Sequence, residues 1–211
     1  SGTITDSYFI GTVQGSISVG GLVSYNGGSI INSWADVSVQ GSLRVGGLSG
    51  NSAEGSSITG SFSTGVVSGT GEVGGLIGIN NGLIRNSYST AKLNNRVDVS
   101  RVGGLIGTNS AFTQVINSYA TGRIFATGIN ASLFGGLIGD NRGDEPENSY
   151  WNTESTEQPL SGGGTGLTTA QMTQQSSFNS WDFSEVWAID EGSSYPYLIN
   201  NTGIPRPGPL P

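Results

Sequence analysis

The chain has 211 residues, with 8 Lys and Arg against 15 Asp and Glu for a net charge of −7, and it holds neither cysteine nor histidine. Disulfides, thiolate nucleophiles, imidazole bases and the common zinc ligands are thereby removed together, and no run of about 18 apolar residues is present to insert into a membrane as a helix. Glycine is the anomaly: its 36 residues are more than twice the usual share of about 7%, while charged residues make up 11% against about 25% in ordinary proteins.

So few charges argue against a disordered, solvated chain, and the length suits one domain, or one elongated domain with a small appendage. Between Asp140 and Glu191 lie ten of the fifteen acids and a single base, Arg142; the remainder carries 7 bases and 5 acids, a balance of 7 − 5 = +2. A nearly neutral body with an acidic end has no electrostatic reason to bind nucleic acid or an anionic bilayer. Ser1 stands in mid-repeat with no charged-then-apolar leader behind it, which predicts mature or excised sequence.

From the first residues onward the chain repeats itself. A Gly-Gly-Leu triplet begins at Gly20, Gly46, Gly74, Gly103 and Gly135, at spacings of 26, 28, 29 and 32. A second marker puts Ser and an aromatic after a small or polar residue: Asp6-Ser7-Tyr8, Asn32-Ser33-Trp34, Gly60-Ser61-Phe62, Asn86-Ser87-Tyr88, Asn117-Ser118-Tyr119 and Asn148-Ser149-Tyr150. Apolar residues come in short groups bounded by Gly, Asn and Ser, which is the punctuation of strands. A helix would carry several interior glycines at about 1 kcal/mol each, with no 3.6-residue apolar stripe in return. Propeller blades, leucine-rich repeats and collagen need other periods or signatures.

These features predict an all-β fold: a parallel β-solenoid of about six rungs, with equivalent strands stacked about 4.8 Å apart. Its ladders are Leu22, Leu48, Leu76, Leu105 and Leu137 in the interior, with Tyr8, Trp34, Phe62, Tyr88, Tyr119 and Tyr150 stacked beside them. Paired glycines permit tight corners, and stacked Asn amides at a turn bond one another and the corner backbone rather than a ligand.

The units resemble the GLUG motif, named for Gly-Leu-any-Gly, through Gly47-Leu48-Ser49-Gly50, Gly75-Leu76-Ile77-Gly78, Gly104-Leu105-Ile106-Gly107 and Gly136-Leu137-Ile138-Gly139; the first copy departs, reading Gly21-Leu22-Val23-Ser24. That resemblance covers about residues 1 to 150. It implies the context of bacterial surface proteins, among them filamentous-haemagglutinin-like adhesins and large peptidases cleaving immunoglobulin A, where such repeats resemble a stalk or accessory region. It implies no catalytic residue.

Repeats are thus expected over residues 1–151, an aromatic-rich cap over 152–200 and a Pro-rich linker or tail over 201–211. Within the cap, Thr168 with Gln171 reads as a capping box and Leu167 with Met172 as a hydrophobic staple, predicting a short helix. Trp181, Phe183, Val186, Trp187, Ile189, Tyr195 and Tyr197 follow, expected as a lid over the last rung, since a solenoid end is an unpaired edge. No such lid precedes the first rung, so further rungs, or a second copy docking end-on, are expected there.

Enzyme chemistry finds no footing. Asp36, Glu54, Glu72 and Asp98 share no register that would set two carboxylates about 5 to 9 Å apart for glycoside chemistry. Asp140, Asn141, Asp144 and Glu145 match no calcium loop, and a solvated turn is expected there. Arg142-Gly143-Asp144 is the tripeptide that animal integrins recognise, yet in a Gly-rich chain three residues are a weak motif. An ice-binding face is suggested by Ser63-Thr64, Ser89-Thr90 and Ala120-Thr121, but unequal repeat lengths and Trp34-Ala35-Asp36 interrupt it. The expectation is a non-catalytic structural or adhesive solenoid of a bacterial cell surface or secreted protein, with a filament subunit next. Its partners would be a host or neighbouring-cell surface protein or glycan, or further copies of the chain. No cofactor and no metal are expected.

Overall fold

The structure is a computed structural model that describes residues 2–127, 133–200 and 206–209, apart from the side chains of residues 96–98. Ser1, residues 201–205 and the last two residues of the expected Pro-rich tail lie outside the described residues.

A turn of chain runs through four short strands, in the third turn Ser57–Thr59, Phe62–Ser68, Glu72–Gly74 and Ile77–Asn80, and in the fourth and fifth turns the second of these is split in two. Equivalent strands of neighbouring turns pair in parallel, Phe62 with Trp34 and with Tyr88, Val73 with Val45 and with Val102, so that four sheets run along one axis. Three of them hold five strands and one broad sheet holds nine. Against the expected six rungs, five turns are complete. The sixth survives as Tyr150–Asn152, which extends the broad sheet, followed by Thr165–Leu167. Pro146 and the turn around it leave only an isolated bridge, Ile116 to Glu147, in the sheet before it.

Why the chain turns where it does follows from residue type. The residue ahead of each Ser-aromatic pair has a left-handed backbone: φ is 46° at Asp6, 48° at Asn32, 57° at Gly60, 49° at Asn86 and Asn117, and 43° at Asn148. Only Gly, Asn and Asp adopt that conformation cheaply. The following Ser is wired into the next turn. Ser33 N–H donates to Ser61 Oγ at 3.1 Å and Ser87 N–H to Ser118 Oγ at 3.2 Å, while each hydroxyl donates to the carbonyl two residues back. At the Gly-Gly-Leu bend, a Cβ on Gly75 would lie 2.1 Å from the Gly104 carbonyl oxygen of the next turn, so no larger residue fits.

Leu48, Leu76, Leu105 and Leu137 are fully buried in the core with Ile77, Ile106 and Ile138, and Leu22 is partly buried at the first turn. In Trp34–Gln40 the burial alternates, Ala35, Val37 and Val39 facing in. That period of two sends the aromatic residues outward. The aromatic ladder therefore stands on the outer face of the broad sheet rather than inside beside the leucines, and it nucleates a second apolar cluster.

The Asn ladder runs as expected. Asn80 Nδ2 donates to Asn109 Oδ1 at 2.8 Å and Asn109 Nδ2 to Asn141 Oδ1 at 2.9 Å, with Ser52 Oγ donating to Asn80 Oδ1 at 3.1 Å one turn earlier.

The cap departs from the expected lid. The end of the last turn is closed by residues 151–166: helix α1, Thr153–Thr156, follows Asn152, Trp151 Nε1 donates to the Gln158 carbonyl at 3.0 Å, and Gly162 N donates to the Ile138 carbonyl at 2.7 Å. Helix α2, Thr169–Met172, has the predicted capping box, and Leu167 and Met172 join one cluster. From there the chain folds back along the flank. Trp187 reaches Tyr88 and Tyr119, so the aromatic segment is a strap over the outer ladder, removing that row of apolar rings from water. Part of the Pro-rich tail also packs here: Tyr195 N donates to the Pro207 carbonyl at 2.8 Å, and Arg206 pairs with Asp190 and lies 4.9 Å over the Tyr197 ring.

Candidate functional site

Three outer features of the described residues bear on function. Along the broad sheet, Tyr8, Trp34, Phe62, Tyr88 and Tyr119 form one continuous stack, with centroid spacings of 4.7, 5.7, 4.7 and 4.9 Å and interplanar angles of 2° to 6°. Tyr150 continues the register and meets Phe178 edge-on at 5.3 Å. The strap covers the later members. Trp187 is fully buried, Trp181 packs 4.3 Å from it, and Tyr119 Oη donates to the Pro196 carbonyl at 2.6 Å. Burial pushes the Tyr119 and Tyr88 hydroxyl pKa values up, Tyr119 further raised by Tyr88 and Tyr195 nearby. Tyr8, at the other end, is 64% exposed.

The second feature is a cleft of about 560 Å³ between the broad sheet and the cap. Thr64, Thr90 and Thr121 form one wall, and Ser155, Thr169 and Tyr195 belong to the other. Asn152 Nδ2 donates to Tyr195 Oη at 3.0 Å, and hydrogen bonds from the Thr169 hydroxyl and N–H hold Glu154 below the usual carboxylate pKa range. The aligned threonines that suggested an ice-binding face thus stand beneath the cap, and their ladder continues into Asp36 and Ile10.

The third lies on the opposite bend. Arg142-Gly143-Asp144 occupies a turn fixed to the preceding rung, where Arg142 N donates to the Asn109 carbonyl at 2.8 Å and Gly143 N to Asn141 Oδ1 at 3.2 Å. The Arg142 guanidinium bends back to Asp140, Nη2 to Oδ2 at 2.7 Å, while Asp144 is exposed. Asp140 is more than part of a solvated turn: Arg101 also reaches it at 2.9 Å and reaches Glu72 at 3.0 Å. This Glu72–Arg101–Asp140–Arg142 network borders a polar trough of about 300 Å³ with Arg44, Asn51, Asn81 and Thr108. The signal for half of it was in the sequence, since Glu72 and Arg101 are one repeat apart and pair in register. Arg101 and Asp140 lie on different sheets, so no single spacing announces them.

The expected ladder residues are brought together, Leu inside and aromatics outside. The candidate calcium residues do not converge: Asp140 is occupied by arginines, Asn141 by the amide ladder, and Glu145 Oε1 accepts from Gly164 N at 2.8 Å. Among the described residues, no group of three or more His, Cys, Asp or Glu is placed to hold a metal ion.

Residues 98–124, most of one turn and including Gly104-Leu105-Ile106-Gly107, match the GLUG motif. The chain carries a GLUG repeat. A protein of Evansella cellulosilytica, whose name is that of a Gly-rich membrane protein, is 42% identical over 120 residues, covering 54% of this chain. The chain spans only 13% of that relative's length. No solved structure matches the chain. Among the described residues, no helix is long and apolar enough to cross a membrane. The GLUG turn and the parallel β-solenoid together fit a structural or surface repeat protein.

Proposed function

We propose that this GLUG solenoid is a non-catalytic structural or adhesive segment of a bacterial cell-surface or secreted protein, presenting a stiff face outside the cell. The observation that carries the reading is the axial repetition of the rod: strands stack turn upon turn, and the polar and charged side chains left uncovered lie along the flank over successive turns, spreading contact along a length instead of gathering it in one pocket. The far longer relative, named as a membrane protein, supports a segment within a large surface-associated chain. To test adhesion, the fluorescently labelled chain is applied to intact cells and to immobilised glycans and matrix proteins. Saturable binding competed by unlabelled chain supports it; absence of binding to every surface leaves only the structural role. An RGD-directed contact through Arg142, Gly143 and Asp144 would require Arg142 to leave Asp140, and binding unaffected by Asp144→Ala would remove it.

End-to-end assembly is a second reading, favoured by the exposed apolar residues of the first turn, Tyr8, Ile10 and Ile17, at 64%, 61% and 64%. Light scattering across a concentration series tests it. Mass growing with concentration supports assembly, and a constant monomer mass eliminates it.

A further inference from the structure

We propose that the polar trough beside the Arg142 turn binds a linear acidic polysaccharide, with the Arg44 guanidinium taking a carboxylate or sulfate of the sugar chain. This deepens the adhesive reading above and rests on it for the choice of a polymer.

The trough forms where two sheets meet at the Gly-Leu-x-Gly bend. Outward residues of one sheet supply Arg44, Glu72 and Arg101, since Arg44 precedes Val45 as Glu72 precedes Val73, its register partner. Outward residues of the next supply Asn51, Ile79, Thr108 and Asp140, paired in register. Between them the motif's last glycine removes any side chain: a Cβ on Gly78 would lie 2.5 Å from the Arg44 carbonyl carbon. The floor is therefore backbone, and the walls are two polar ladders parallel to the rod axis.

Charge singles out Arg44. Arg101 and Arg142 are matched by Glu72 and Asp140. Arg44 is exposed and, among the described residues, has no carboxylate within ion-pair distance. The trough thus carries one uncompensated positive charge on a chain whose net charge is −7. Independently, Thr108 is 6% exposed, and its hydroxyl is buried without a hydrogen-bond partner. Native structures seldom leave such a group unpaired. A side-chain rotation that turns the hydroxyl into the trough gives it one when a ligand oxygen lies there.

Shape and lining select the ligand. Running from the second turn to the fifth, the trough spans three strand spacings, about 14 Å. Apart from Ile79 its walls are amides, hydroxyls and charges. Such walls satisfy a row of sugar hydroxyls, whereas a peptide would look for apolar pockets to anchor its side chains. The trough lining holds no aromatic side chain on which bases could stack, so a nucleic acid finds no platform there.

The test is titration calorimetry on the intact chain at low ionic strength with oligogalacturonate, dextran sulfate oligomers and neutral dextran. Binding of either acidic oligomer, absent for neutral dextran, weakened about tenfold by Arg44→Gln and unchanged by Arg85→Gln on another face, is the expected result; which acidic oligomer binds tells carboxylate from sulfate. Thr108→Val should weaken binding without lowering the melting temperature. Equal binding of neutral dextran, no binding of either acidic oligomer, or an Arg44→Gln chain that binds like the parent overturns the site. If the chain still adheres to cells under those conditions, the trough alone falls; if it adheres to nothing, the adhesive reading falls with it.

Discussion

A left-handed residue once per turn sets the entrance to the broad sheet, and the sequence marks it because so few residue types tolerate it. At Asn86, φ is 49°, and the equivalent position one turn earlier is Gly60. Asn86→Gly keeps the left-handed backbone unstrained and should therefore cost no more than about 1 kcal/mol, whereas Asn86→Val should cost about 1–2 kcal/mol from the clash of Cβ with the carbonyl, both read from urea unfolding midpoints. The buried ladder tyrosines make a pH prediction. Burial raises the Tyr119 and Tyr88 pKa values above the ordinary 10.0. Above pH 10 the unfolded chain releases these protons while the folded chain keeps them, so the folded state binds more protons and stability falls as pH rises. Below pH 10 both states are protonated and the contribution is fully present. Melting temperatures should hold between pH 7 and 9 and drop progressively above about pH 10, with a shallower drop in Tyr119→Phe.

At the scale of elements, the repeat strands were legible and the position of the cap was not. Gly-Gly-Leu and Asn-Ser-aromatic ladders announce strands and corners because each residue repeats a local backbone requirement. Whether an aromatic faces in or out depends instead on the parity of its strand, and in Trp34–Gln40 parity gives Ala35, Val37 and Val39 to the core. Once outward, the stack needs a cover, and residues 168–198 provide it through Met172, Phe178, Trp181 and Trp187. Only the short helix α2 was readable beforehand, from the local capping box of Thr168 and Gln171. The Arg101–Asp140 half of the trough network escaped as well, because its partners lie on different sheets. Trp187 is fully buried between the strap and two ladder tyrosines, so Trp187→Ala should cost about 3–5 kcal/mol. It should also release the strap before the repeats unfold. Two separate transitions, one in aromatic fluorescence and a later one in far-ultraviolet dichroism, would show that; a single coincident transition would mean that strap and repeats form one cooperative unit.

For the whole molecule, the decisive property is that each turn touches mainly its neighbours, so length should be adjustable in units of one repeat. Val19 pairs with Val45 and Gly20 with Gly46, which makes residues 20–45 one interchangeable turn. Removing them joins Val19 to Gly46, keeps the Gly-Gly-Leu bend intact and brings Tyr8 over Phe62 in place of Trp34. The four later aromatics under the strap are untouched. The shortened chain should fold, keep its dichroism per residue and lose one strand spacing of length, about 4.8 Å. Removing residues 20–44 instead leaves one extra valine at a bend where backbone atoms of adjacent turns are nearly in contact, and a one-residue slip sends side chains to the wrong face of a strand. That chain should melt well below the in-register deletion. Spacings of 26 to 32 residues show that the repeat absorbs length changes in its loops, so equal melting temperatures for the two deletions would mean that this bend absorbs them too, and that register is held by the leucine and aromatic ladders alone.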